Sequence, residues 1–127
     1  MSRKNAISWF EIPAVDMDRA VRFYETILNV TLTPLQVDNL RMTMFPVADA
    51  DAVGGALIYN PDNYSPSSQA GTLIYLNANP DLQTALDQVE KAGGKVVLPK
   101  TQISEEYGFM AVIHDTEGNR IALHSAQ

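Results

Sequence analysis

The side chains able to do acid–base or metal chemistry are sparse: two histidines, no cysteine and 15 acidic residues in 127. Glu11 sits in an alternating apolar stretch near one end, and His124 sits in another near the other end. If the two share an apolar pocket, burial raises the carboxyl pKa while a nearby carboxylate favours the charged imidazole. Such a pair serves as general acid and base, or hydrogen-bonds a polar group of a ligand. The plainer alternative is that they pair with each other or with backbone. Two such residues are too few for a metal site of their own. With no cysteine there is no thiol nucleophile, thiolate metal site or disulfide framework. Asp49 and Asp51 have a D-x-D spacing but lack the glycine and glutamate of a calcium loop, so they read as a solvated turn. His114 precedes a turn and reads as a structural hydrogen-bonding group. No G-x-S-x-G, phosphate loop or dinucleotide fingerprint is present, so serine hydrolase, kinase and Rossmann functions have no support.

Composition narrows the partners. A net charge of −6 and a pI near 4.7 argue against nucleic acid and anionic membrane, which attract clustered Lys and Arg. Only Arg3-Lys4 makes a small basic group. No apolar run reaches the roughly 18 residues that span a bilayer, and the start MSRKNAIS lacks the apolar core of a secretory signal. The expectation is a soluble, cytoplasmic protein with no cofactor. An apolar content of 46% suits one compact domain, and neither half would bury enough surface alone.

The elements that must position these residues come in two copies. Ser8 to Leu28 reads as strand, corner and amphipathic helix, and Thr72 to Ala92 repeats it. Met17, Ala20, Val21, Tyr24 and Ile27 match Leu82, Ala85, Leu86, Val89 and Ala92, the apolar stripe of a helix lying on a core. Asp16 and Asp81 align 65 residues apart, and a repeat of that length in a chain of this size marks a duplicated module. Pro13 ends the first strand, Asp16 is placed to cap the first helix, and Asn29 reads as its left-handed stop. In the second copy Asn79-Pro80 reads as N-cap and first helical position, with Gly93-Gly94 closing the helix. A hairpin interrupted near Asp38-Asn39 and a short strand to Tyr59 complete the first copy. The second ends in the clearest hairpin, with Asp115 to Asn119 as its turn. Module one is thus expected over about 6–60, a Pro- and Ser-rich linker over 61–71, and module two over 72–125.

Two βαβββ modules, a D-x-D-R-A-x-x-F-Y helix opening (Asp16 to Tyr24) and a D-x-E-G-N-x-I hairpin (Asp115 to Ile121) together resemble the vicinal oxygen chelate superfamily. That superfamily holds glyoxalase I, bleomycin-resistance proteins and extradiol dioxygenases. The resemblance implies an α+β fold in which paired modules curl mostly antiparallel sheets around a cavity. In many members a divalent metal sits there on four side chains, from the first and last strand of each module. Carried over one by one, those positions fall on Trp9, on Ile74, within Val53 to Asn60, and on Ala122. None of these offers an imidazole or carboxylate, and a divalent ion needs several converging donors. No metal site is therefore expected.

Alternation then places Glu11, two after Trp9, and His124, two after Ala122, on the cavity side. Trp9 becomes an aromatic wall suited to stacking on a flat ligand. Arg41 shares a strand face with Thr43 and Phe45, where it could hold an anionic group or stand as a solvated edge charge. Tyr64 and Tyr107 lie on loops near the cavity mouth. The leading expectation is a metal-independent homodimer that binds a small organic molecule among Trp9, Glu11, Arg41, Phe45, Tyr59, Ile74 and His124. The second is a glyoxalase-related lyase or isomerase acting on a carbonyl compound through Glu11 and His124, with or without a displaced metal. A third is an interaction domain whose pocket has collapsed. Whether the space around Trp9 and Ala122 is open separates these readings.

Overall fold

The computed structural model describes residues 5–38 and 40–127. Arg3-Lys4 and Asn39, half of the expected hairpin turn, lie outside the described residues. The first module runs β1 (Trp9–Pro13), α1 (Met17–Leu28), β2 (Thr33–Val37), β3 (Leu40–Met44) and β4 (Gly54–Tyr59). The second runs β5 (Ile74–Asn77), α2 (Leu82–Val89), β6 (Lys95–Ser104), β7 (Gly108–His114) and β8 (Arg120–Ser125). The fold is α+β, two tandem βαβββ modules. Each forms a four-stranded sheet, in the orders β1-β4-β3-β2 and β5-β8-β7-β6. In each sheet the first and last strands of the module pair parallel and the remaining pairs are antiparallel.

Helix α1 starts where Asp16, in extended conformation, accepts the Arg19 N–H at 3.1 Å, and it stops where Asn29 turns left-handed at φ 53°. Its buried stripe is Met17, Ala20, Phe23, Tyr24 and Ile27, so Phe23 takes the buried place expected of Val21, which is only partly buried. Helix α2 buries Leu82, Ala85, Leu86 and Val89, and the two helices pack against each other. One apolar cluster therefore joins both modules on the helix side of the sheets, with Ile12, Leu57, Ala111, Ile113, Ile121 and Leu123 facing it.

The expected cap of α2 is corrected. Asp81, not Asn79, accepts the Gln83 N–H at 2.9 Å, and Leu82 is the first helical residue. Asn79 is engaged elsewhere: its amide donates to Asn77 and its carbonyl oxygen accepts the Ala126 N–H. The corner before α2 is consequently one residue longer than the corner before α1. Ala14 N–H donates to Ile58 and Ala78 N–H to His124, so Ala14 and Ala78 are equivalent, yet two steps lead from Ala14 to the cap Asp16 and three from Ala78 to the cap Asp81.

Candidate functional site

That extra residue decides which side chains of β5 face away from the helices. Strand neighbours in register share a face. Glu11 lies opposite Ala56 and Tyr75 opposite Ala122, so Tyr75, not Ile74, is the counterpart of Glu11. Ile74 lies opposite Ile121 and packs against the helix-side core. Equivalent rows on the open faces of the two sheets are thus Glu11–Ala56 and Tyr75–Ala122, followed by Pro13–Ile58 and Asn77–His124.

Glu11 is half-buried, and its carboxylate accepts from the Trp9 indole Nε1 at 3.2 Å and from the hydroxyl of Tyr64. Tyr64 comes from the segment joining the modules, so that segment reaches back over β1. Bonding to a carboxylate raises the Tyr64 pKa above that of an ordinary phenol, because the neutral hydroxyl is the form that donates. Trp9 is 43% exposed whereas Ala122 is fully buried. A cavity of about 220 Å³ adjoins Glu11, bounded by Ser65, Ser67 and Gly71 of the joining segment and by Ile74, Asn119 and Arg120.

His124 is on the other sheet, and its Nε2 lies 2.6 Å from the Tyr107 carbonyl oxygen. Among the described residues no hydrogen bond joins it to Glu11. Arg41, Phe45 and Tyr59 are on the helix-facing side of the first sheet: Phe45 packs its ring on Tyr24, Arg41 reaches Asp18 of α1 at 3.4 Å, and Tyr59 lies opposite Arg41. The expected set therefore divides. Trp9, Glu11 and His124 occupy open faces, while Arg41, Phe45, Tyr59 and Ile74 share the helix side, because alternation along β3 and the longer corner before β5's helix turn them that way.

The family's metal can be tested against the donors present. The row Glu11, Ala56, Tyr75 and Ala122 supplies one carboxylate and one phenol, and among the described residues no three His, Cys, Asp or Glu side chains come together where they could hold a metal. This donor set does not fit a divalent ion with open positions.

The strongest polar cluster was not among the expected sites. Glu117, Asp115 and Asn119 of the β7–β8 turn are buried. Glu117 accepts from the backbone of Val15 and Asp16 at 2.7 and 2.6 Å, and from Arg19 Nε at 2.7 Å. Tyr24 donates to Asp115 at 2.6 Å, and Asn119 donates to Asp115 and to the Pro13 carbonyl. Burial pushes the Tyr24 phenol well above its ordinary pKa, and the Asp115 carboxylate adds to it. Burial alone would raise Glu117, but hydrogen bonds from Arg19, Asp16, Thr116 and Val15 hold it below the usual carboxyl value. With the Glu117 and Asp115 carboxylates met by donors inside the protein, this cluster holds the modules together.

Two βαβββ modules joined through their helices are the architecture of a known class, and a family model for the Glyoxalase/Bleomycin resistance protein/Dioxygenase superfamily matches residues 6–123. The chain belongs to that superfamily. It is 29% identical over 120 residues to a glyoxylase-like domain-containing protein of Didymella fabae, covering 92% of this chain and 91% of that protein. Its fold is similar to a glyoxalase I variant from Zea mays, with TM-score 0.71 and 22% identity over 93% of this chain and 45% of that one. The chain thus spans under half the length of the maize enzyme. It is also similar to TnmS3, an antibiotic binding protein from Streptomyces sp., with TM-score 0.65, 21% identity and full coverage of both chains. Against the fosfomycin resistance protein FosX from Mesorhizobium loti the TM-score is 0.66, at 15% identity over 98% of this chain and 94% of that one.

Proposed function

We propose that the protein binds a small organic molecule on its open sheet face beside Glu11, without the metal site common in its superfamily. The observation that carries this reading is the arrangement of Glu11 between two aromatic donors. Trp9 offers a half-exposed indole face, and Tyr64 offers a ring on a separate segment. A flat ligand would stack on the indole, and a donor on that ligand would compete for the carboxylate. TnmS3, an antibiotic binding protein similar in fold over the full length of both chains, supports a binding role. The separate hydrogen bonding of Glu11 and His124 weighs against the enzymatic alternative, in which the two act together on a carbonyl compound.

Association as a homodimer belongs to the same proposal. Trp9, Tyr75 and Tyr107 expose large apolar surfaces at 43%, 51% and 63%, and a second copy would cover them. A cytoplasmic location belongs to the same proposal; no helix among the described residues is long and apolar enough to cross a membrane.

The test uses the one tryptophan. Bleomycin, fosfomycin and a panel of flat aromatic compounds are titrated against Trp9 emission and by calorimetry, with metal analysis of the purified protein. Saturable quenching that weakens in Glu11→Ala, in metal-free protein, is the expected result. Stoichiometric tightly bound metal lost in a Glu11→Ala, His124→Ala double variant would overturn the metal-free reading. Turnover of a 2-oxoaldehyde abolished in that double variant would establish the enzymatic alternative.

A further inference from the structure

The two modules differ on their helix faces. Helix α2 packs on β6, β7 and β8, whereas α1 packs on β4 and the β2–β3 hairpin stands off it. Between α1 and that hairpin lies a cleft of about 550 Å³, within the range of small-molecule sites. Register accounts for the difference between the modules. Arg41 lies between Gln36 and Tyr59 across its sheet, as Phe109 lies between Gln102 and Ser125. Phe109 packs against the core, with the Lys100 ammonium 4.6 Å above its ring and 2.8 Å from Asp81. In the first module an arginine replaces that phenylalanine, and the space stays open.

The cleft has a distinct chemistry at each depth. Met17 and Val21, one turn apart on α1, form an apolar wall together with Leu32. Thr43 lies at the bottom. It is 5% exposed, its hydroxyl has no hydrogen bond among the described residues, and no fully buried side-chain polar atom there lacks a partner. The hydroxyl therefore opens onto the cleft. Arg41 stands at the mouth with its side chain 55% exposed, its one acidic contact among the described residues being Asp18 at 3.4 Å, itself 78% exposed. Arg22, one turn after Asp18, lines the same mouth. In a chain of net charge −6, a pair of arginines over an apolar wall selects a particular ligand class.

We propose that this cleft is a second ligand site, separate from the open face beside Glu11, and that it takes a small amphiphilic anion. The apolar tail lies along Met17, Val21 and Leu32, and the carboxylate takes the Arg41 guanidinium, with the Thr43 hydroxyl as a further donor. A guanidinium presents paired N–H groups to a carboxylate, and binding replaces the loose contact with Asp18.

Decanoate and decanol, which share a tail and differ in charge, are titrated by calorimetry, and amide shifts are mapped by NMR. Decanoate is expected to bind at least about tenfold more tightly than decanol, since the ion pair with Arg41 is made by decanoate alone. Shifts are expected at Val21, Leu32 and Thr43. Arg41→Gln should abolish the difference by weakening decanoate more than decanol, and Val21→Phe, checked for folding by circular dichroism, should weaken both. Equal affinity for the two probes, shifts centred on Glu11 and Tyr75, or no saturable binding of decanoate would each overturn the proposal. Because Arg41→Gln and Val21→Phe leave Trp9 and Glu11 intact, failure here leaves the reading of the open face standing, and the reverse holds too.

Discussion

Glu117 and Arg19 are 98 residues apart in sequence, yet the Glu117 carboxylate lies 2.7 Å from the Arg19 Nε. The same carboxylate accepts the Val15 and Asp16 N–H groups at the mouth of α1. A helix start presents unpaired N–H groups and the positive end of its dipole, which favours a carboxylate there. Asp16 supplies a local cap, and Glu117 supplies a second from the other module. The turn of one module thus completes the helix of the other.

Removing that carboxylate should be expensive. Glu117→Ala leaves two backbone donors without their acceptor and frees a half-exposed arginine, and is expected to lower stability by about 1–3 kcal/mol, read as a shift in urea midpoint at constant slope. Glu117→Gln keeps part of the hydrogen bonding and should fall between. Because its folded pKa lies below the ordinary 4.5, the contribution is fully present above that value and is lost as pH falls through the folded pKa. Melting temperature should therefore drop as pH falls below about 4.5, and the drop should be shallower in Glu117→Gln.

Tyr24→Phe removes one donor from the buried Asp115 while the Asn119 amide and two backbone N–H groups remain on it. The expected cost is about 1–2 kcal/mol. The buried phenol should also be the last of five tyrosines to ionise in a spectrophotometric titration, since burial beside a carboxylate raises it. Loss of that late step in Tyr24→Phe identifies it.

Trp9 emission should report the Glu11 cluster without any ligand. Breaking the 3.2 Å indole hydrogen bond in Glu11→Ala frees the ring and should change both intensity and quenching by iodide. Tyr64→Phe leaves the Trp9 contact intact, so a similar change in that variant would show that Tyr64, not Glu11, holds the indole.

Gly94 sits where the chain leaves α2 against the Phe23 ring and the His114 carbonyl. A Cβ there would come within 2.7 Å of the His114 oxygen, which is backbone and cannot swing aside. Gly94→Ala is expected to cost about 1–3 kcal/mol, measured by thermal unfolding alongside Gly71→Ser, whose position has open space within 4 Å but also a positive φ.

Much of the architecture was legible because period and punctuation carry it. Most of both helix stripes, the Asp16 cap and the Asn29 stop follow from local rules and stand in the structure, except that Phe23 rather than Val21 is buried in α1 and Ala92 lies beyond the end of α2. The family emerged from two short motifs, and the family model spans them. The site was less legible, because facing depends on counting. One added residue between Ala78 and Asp81 exchanges Ile74 for Tyr75 on the open face, and nothing in the composition of β5 announces it. Arg41 and Phe45 were grouped on one strand face as the structure has them, but which side of the sheet that face meets is fixed only by the packing of α1. Asp115, Glu117 and Asn119 read as turn formers, and their burial needed the partner module. The signal present was a charged residue, Glu117, in a tight turn, matched by a lone arginine, Arg19, at a helix start.

The Glu117 cap also orders events during synthesis. Glu117 leaves the ribosome 101 residues after Asp16, which at bacterial or eukaryotic elongation rates is on the order of 5 to 20 s. During that interval α1 holds only its local cap and the exposed stripe of Met17, Ala20 and Tyr24. The nascent first half therefore waits, unfinished and apolar on one side, for a turn 101 residues further along the message.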